Sequence, residues 1–350
     1  MKSNSRSIVI HAAKDLRIED QAVMDPGVGE VQIAIAKGGI CGSDLHYYQH
    51  GGIGDAIRLR EPMVLGHEVS GHITKLGAGV ENLDVGQLVA VSPSRPCSGC
   101  EYCQRGQPNQ CLNMRFYGSA MPFPHIQGAF RQTLNADASQ CAVADGLTSG
   151  EAAMAEPLAV CLHATNTAGS LLGKSVLVTG CGPIGVLAIM CARRAGADLI
   201  VATDLSDFTL GKAREAGADH VINVASNPAG LDPFKADKGQ IDTLFECTGA
   251  QIALASAIPC LRPRGVIVQL GLGGDMTLPM QMITAKELQL RGSFRFHHEF
   301  HTGVSLMQKG LINVKPLITH SLPMDDAVKA FELASDRSQT MKAQLDFTTR

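Results

Sequence analysis

The run Ser175-Val176-Leu177-Val178-Thr179 is apolar and β-branched, of strand type. It leads directly into Gly180-Cys181-Gly182-Pro183-Ile184-Gly185, which matches G-x-G-x-x-G. Val186 to Ala195 reads as a helix. The next apolar run, Leu199-Ile200-Val201-Ala202-Thr203, ends at Asp204, 19 residues after Gly185. Alone, the glycine pattern constrains little. Placed between a strand and a helix, with an acidic residue closing the second strand, it dictates a parallel βαβ unit and fits a dinucleotide fingerprint. Gly180, Gly182 and Gly185, with Pro183 and Ile184 between them, permit a tight turn and close approach of a pyrophosphate to the helix N-terminus. Asp204 is placed to accept hydrogen bonds from the adenosine ribose and to repel a 2′-phosphate. No arginine follows it within four residues. NAD is therefore the expected cofactor, with NADP use left open.

The pattern continues downstream. His220–Val224, Ile241–Gly249, Gly265–Leu270 and Glu287–Gly292 each read as a strand or a strand plus turn. Strands alternating with helices imply a parallel, doubly wound sheet. The longest uncharged run, Ser175 to Ala192, approaches membrane-spanning length, but glycines and a proline interrupt its middle. Strand, turn and buried helix start account for it better.

Composition narrows the remaining classes. The 350 residues suggest two domains. Thirty basic against 33 acidic side chains give a net charge of −3, without the basic surplus a phosphate-backbone binder needs. Tryptophan is absent and tyrosines number 4, so stacking platforms for single-stranded nucleic acid are not expected. Ile8-Val9-Ile10 is too short for the apolar core of a secretory signal, which points to a cytosolic protein with no membrane partner.

Four of the 11 cysteines are clustered as Cys97, Cys100, Cys103 and Cys111, spaced C-x2-C-x2-C-x7-C. Two-residue gaps let successive thiolates converge on one ion. Four sulfurs fill a tetrahedral zinc shell and leave no open position, so this is a structural zinc site. Iron–sulfur runs use similar spacing, but they carry a proline after the last cysteine and recur in pairs. Neither feature is present.

A second constellation is spread along the chain. Cys41 lies in Gly38-Gly39-Ile40-Cys41-Gly42-Ser43-Asp44-Leu45-His46. His67-Glu68 and Glu156-Pro157 follow. Cys41 offers a thiolate, His67 an imidazole, and Glu68 or Glu156 a carboxylate. Three protein ligands leave the fourth zinc position open, the catalytic arrangement. Ser43 and His46 can pass a proton to solvent, since a hydroxyl both donates and accepts and a histidine titrates near neutral pH. Asp44 suits an acceptor that orients a ligand.

An open zinc site and a four-cysteine lobe precede the dinucleotide fold, and a short tail follows it. This order resembles the zinc-containing, medium-chain alcohol dehydrogenase family over essentially the whole chain. The resemblance implies an α/β protein. A GroES-like, mostly-β catalytic domain would comprise 1–154 and 295–350, and a Rossmann cofactor domain 155–294. Glu156 in Glu156-Pro157-Leu158-Ala159-Val160 resembles the polyol (sorbitol) dehydrogenase branch, where that carboxylate serves zinc directly or through water. The stretches Gly39–Tyr48, Met114–Met121 and Arg291–Phe296 look closer still to members acting on sugar acids.

The implied reaction is hydride transfer from a secondary alcohol of a sugar acid or polyol to the nicotinamide. Two zinc ions per chain, one catalytic and one structural, are implied, as is a homodimer or homotetramer. Glu156 would act with Ser43 and His46, in a cleft that closes to exclude water, with Glu68 as an alternate ligand. A carboxylate substrate calls for an arginine fork. Arg295 is the first candidate, Arg115 and His125 follow, and Tyr47 is a possible sugar contact or a packing residue.

Overall fold

The computed structural model describes residues 4–349. The chain divides into two compact units. The first comprises Met1–Glu156, Phe300–Asp336 and Lys342–Arg350; the second comprises Pro157–Glu299 and Arg337–Met341.

The second unit is built on a six-stranded sheet. In spatial order its strands are His220–Asn223, Leu199–Asp204, Ser175–Thr179, Ile241–Glu246, Leu261–Gln269 and Gln289–Gly292. Every neighbouring pair is parallel. Numbered along the chain, the order is 3-2-1-4-5-6, the dinucleotide-binding arrangement. Strands buried on both faces need continuous apolar runs. Val176, Leu177, Ile200, Val201, Leu244, Phe245, Ile267 and Val268 meet that need and are fully buried. Each such side chain contributes about 1.5–3 kcal/mol through burial.

The helix after the first of these strands spans Pro183–Arg194, so it starts three residues earlier than the apolar pattern suggests. Gly182 is its N-cap and Pro183 its first residue. Proline's fixed φ suits the first helical position, where a missing N–H costs nothing. The last strand is shorter than expected because Glu287 takes φ +50, in the left-handed region, and cannot continue an extended run.

The first unit is mostly β. Its seven-stranded sheet has the order Cys141–Val143, Leu88–Val91, Glu68–Leu76, Glu30–Gly39, Lys342–Asp346 and Ile318–Pro323, with Thr133–Asp137 also paired to Glu30–Gly39. A three-stranded sheet joins Asp15–Ala22, Asn4–Ala12 and Met63–Val64. One apolar core, including Ile8, Ile33, Leu65, Val89, Phe130 and Phe331, lies within this unit.

Two registers position the site. Gly39 pairs with Glu68 on one side and with Gln344 on the other. The C-terminal strand is therefore laid beside the N-terminal strand that leads into Cys41. A Cβ at Gly39 would stand 2.1 Å from Oε2 of Glu68, so only glycine leaves room for that carboxylate. Among the described residues, no helix is long and apolar enough to cross a membrane.

Candidate metal centre and cofactor loop

Cys41 is the N-cap of the helix Gly42–His50, and this places Ser43, Asp44 and His46 within its first turns. Asp44 is fully buried. Its Oδ2 accepts from the Cys41 N–H at 3.0 Å and its Oδ1 from the Gly66 N–H at 3.2 Å. The helix start is thus tied to the turn that carries His67. Gly66 takes φ +94 in that turn, and a Cβ there would meet the Phe130 ring at 2.1 Å.

Cys41, His67 and Glu68 bring one ligand atom each within 4.8 Å of one another. His67 and Glu68 are buried. The Nδ1 of His67 has no hydrogen-bond partner and lies 3.7 Å from Oδ1 of Asp44, too far for a direct bond. The ring of Phe116 lies 5.6 Å from that of His67, centroid to centroid.

Glu156 is buried and is not part of the 4.8 Å group. It nevertheless shares the field of the site. Burial, with Glu68 and Asp44 nearby, pushes its carboxyl up to about 7, although His67 and Lys342 oppose this. Burial likewise raises the pKa of Asp44. Burial works against charge on His67, yet Asp44, Cys41 and Glu156 hold its pKa well above the ordinary value. Three buried carboxyls and a thiol around one imidazole and one ammonium leave a surplus of negative potential. A thiol, an imidazole and a carboxylate converging within 4.8 Å in such a pocket fit a divalent cation with mixed N, S and O donors. The residues present therefore fit zinc.

The ammonium belongs to Lys342, which the sequence reading missed. Its Nζ lies 2.8 Å from both carboxylate oxygens of Glu68, with the two side chains 2% and 1% exposed. Nothing local in Thr340-Met341-Lys342-Ala343 marks this lysine as buried; only the pairing of the C-terminal strand reveals it. Phe116 was missed as well, because nothing in its own segment shows that its ring meets that of His67.

Ser43 is half-buried and His46 is exposed. Burial and the neighbouring His50, whose ring centroid is 6.0 Å away, lower the pKa of His46. Tyr47 is buried, and its hydroxyl accepts from the Ala120 N–H at 3.0 Å, so it packs within the core of the first unit. Arg115 and His125 line a separate cavity in the same unit, to which none of the candidate metal ligands contributes. Both ring nitrogens of His125 are engaged, by the Arg60 N–H and the Pro122 carbonyl, at 2.9 Å each. Arg295 belongs to the second unit, takes φ +58 and lies over the Phe294 ring at 4.7 Å.

The four-cysteine cluster is also gathered, with its sulfurs within 4.8 Å of one another. Cys100 Sγ lies 3.6 Å from Cys103 Sγ and 3.9 Å from Cys111 Sγ. Four sulfurs around one zinc at about 2.3 Å would stand about 3.8 Å apart. The N–H groups of Cys97 and Asn113 donate to Cys111 Sγ at 3.2 and 3.3 Å. The Asn113 amide beside Cys97 pulls that thiol down to about 6, whereas burial pushes Cys103 up to about 12.

In the second unit, Gly180 takes φ +83, and a Cβ on Gly185 would stand 1.7 Å from the Gly180 carbonyl oxygen. Both positions require glycine for the loop to turn against the helix start. Asp204 ends its strand; its Oδ2 accepts from the Cys181 N–H at 2.6 Å, and its Oδ1 accepts from Leu205 N–H at 2.7 Å and Ser206 N–H at 3.0 Å. The acidic residue therefore braces the glycine loop itself.

Comparison with known proteins agrees with this geometry. Residues 27–146 match the alcohol dehydrogenase GroES-like domain, and residues 183–309 match the zinc-binding dehydrogenase domain. The chain is 41% identical over 349 residues to L-idonate 5-dehydrogenase (NAD(P)(+)) of Escherichia coli (strain K12), covering 99% of this chain and 100% of that protein. It is 38% identical over 344 residues to sorbitol dehydrogenase of Gallus gallus, covering 97% and 95%. The crystal structure of the E. coli L-idonate 5-dehydrogenase superposes with a TM-score of 0.94 at 40% identity, covering 99% of each chain. Likeness of this extent, joined to a donor cluster that suits zinc, makes the chain a member of the zinc-dependent alcohol dehydrogenase family.

Proposed function

We propose that this enzyme oxidises L-idonate at its C5 hydroxyl to 5-dehydro-D-gluconate, reversibly, with NAD as the hydride acceptor. One C–H bond breaks, its hydride reduces the nicotinamide, and the hydroxyl proton is released. The donor set of half-buried Cys41, buried His67 and the buried glutamates nearby carries the chemical part of this reading. The full-length likeness to the E. coli enzyme supports the substrate.

When bound, zinc supplies Lewis acidity that lowers the pKa of an alcohol, and the nicotinamide supplies the hydride site. Cys41 and His67 would hold the ion, with Asp44 behind the imidazole to orient it. Glu156 is the proposed third ligand, directly or through water. Lys342 already neutralises Glu68, whereas Glu156 makes no hydrogen bond or ion pair among the described residues. Ser43 accepts the hydroxyl proton and His46, exposed on the same helix, hands it to solvent. Arg295 meets the substrate carboxylate. Gly180, Gly182 and Gly185 admit the pyrophosphate, and Asp204 the adenosine ribose. A second zinc on Cys97, Cys100, Cys103 and Cys111 braces the lobe, and copies of the chain pair into dimers or tetramers in the cytosol.

Reduced-nicotinamide absorbance with L-idonate and with sorbitol, on zinc-loaded protein, tests the reading. A specificity constant at least tenfold higher for L-idonate is expected. A preference for sorbitol would move the enzyme to the polyol substrates that the Gallus gallus relative brings to mind. Metal analysis should give two zinc ions per chain, and one for Cys100→Ser.

A further inference from the structure

The cavity that Arg115 and His125 line lies within the first unit and has a volume of about 350 Å³. That falls at the lower end of small-molecule pockets, roughly 300–1,000 Å³. Three arginines line it, Arg95, Arg115 and Arg131, and no acidic residue does. Arg95 is balanced by Asp137 at 3.4 Å and Glu30 at 3.9 Å. Arg115 and Arg131 form no ion pair among the described residues.

Arg131 is the more telling of the two. Its Nε donates to the Gly128 carbonyl at 3.0 Å, which fixes the guanidinium and leaves its outer nitrogens without a carboxylate. Burial pushes its pKa down, the signature of a cation without a counter-charge. A half-buried guanidinium without an acid is costly unless something anionic joins it. Ser7 faces Arg131 across a β-bridge. It is fully buried, lines the cavity, and its Oγ has no hydrogen-bond partner. An orphaned hydroxyl beside an uncompensated arginine provides a donor set for an oxyanion: a planar fork, a second cation and a hydroxyl. His125 offers no free ring nitrogen to a ligand, since both are used.

The cavity is also set apart from the metal centre within its own unit. Phe116 lies against His67, while its strand neighbours Arg115 and Tyr117 both line the cavity. Successive strand residues point to opposite sides. One two-residue strand, Arg115–Phe116, thus serves two different places.

We propose that this cavity is a second binding site, for a small oxyanion bearing a phosphate or carboxylate group, held by Arg131, Arg115 and Ser7. It is independent of the substrate reading.

Isothermal titration of the zinc-loaded protein tests it, with NAD at saturation so that the pyrophosphate site is filled. Inorganic phosphate and malonate are the two probes. At least one should bind, and which of them binds identifies the group. For the probe that binds, Arg131→Gln should raise Kd at least tenfold and Arg115→Gln about threefold. Arg115 is exposed at the rim, so its variant keeps the test decisive if Arg131→Gln fails to fold, as judged by thermal unfolding. No heat with either probe would overturn the site. So would affinities within twofold of the parent in the folded variants.

Discussion

The Lys342 ammonium sits 2.8 Å from each carboxylate oxygen of Glu68, and water reaches almost none of either side chain. The pair exists because Gly39 separates their strands without a side chain of its own. Removing one partner of a buried pair strands the other charge, which costs about 3–5 kcal/mol. Lys342→Met should therefore lower the thermal midpoint of the first unit sharply. Lys342→Met combined with Glu68→Gln should recover much of that loss, because no bare carboxylate remains. Calorimetry on the two variants checks this, and equal midpoints for them would show that the charge pair is not what holds the strand.

Asp204 does two jobs in this structure. It bonds the Cys181 N–H of the glycine loop at the end of its strand, and the proposed function also gives it the adenosine ribose. Asp204→Ser removes the charge that opposes a 2′-phosphate while keeping a short polar side chain. The ratio of kcat/KM for NADP over NAD should rise at least tenfold. Loss of the loop contact should also weaken NAD binding severalfold. Steady-state kinetics with both cofactors measures the two effects, and an unchanged ratio would remove Asp204 from cofactor discrimination.

Much of this was readable from residue order because the pieces are local. Strand, glycine loop and helix follow one another within 20 residues, so Ser175–Thr179, Gly180–Gly185 and Asp204 could be placed without any tertiary knowledge. The cysteines of the lobe are similarly close in sequence. Lys342 was not readable, because it comes 274 residues after its partner Glu68 and only sheet pairing joins them. Arg115 was offered from sequence as a cation for a substrate carboxylate, after Arg295; the structure places it on the wall of a cavity with Arg131, a neighbour that sequence order does not reveal. Arg131 carries no motif, and its meaning comes from Ser7, 124 residues earlier. Tyr47 could not be assigned from sequence either, since the deciding partner, the Ala120 N–H, lies in another segment.

Glu299 gives the second unit an acid-sensitive clasp. Burial disfavours its charge, but His163 Nδ1 at 3.0 Å, the His297 N–H at 2.9 Å and Asn166 Nδ2 at 3.1 Å outweigh burial. Together they hold its carboxyl well below the ordinary value of 4.5. A carboxylate depressed in the folded state stabilises the fold above its unfolded pKa, and that contribution fades as pH falls below about 4.5 towards the lowered value. Glu299→Gln should lower the thermal midpoint at pH 7. The gap between parent and variant should stay level down to about pH 5 and then close. A gap that does not depend on pH would mean that shape, not charge, makes the clasp.

Ser43 and His46 are three residues apart on the helix that Cys41 caps, which puts them on one face. Ser43 is half-buried and His46 is exposed, so the proposed relay would run from the less to the more exposed side chain. Moving a proton along that line contributes about 10²–10⁴-fold when the transfer is in the slow step. Ser43→Ala should lower kcat by about 10²-fold with little change in KM, because the hydroxyl acts on the proton rather than on binding. His46→Ala should cost less, about tenfold, since solvent can stand in for an exposed ring. Its pKa is lowered by burial and by His50, so the ring is neutral and able to accept at neutral pH. Added imidazole buffer should restore part of the His46→Ala rate and none of the Ser43→Ala rate. Rates at several buffer concentrations decide this. If both variants respond alike to imidazole, the two residues do not lie in series, and the proton leaves the site by another route.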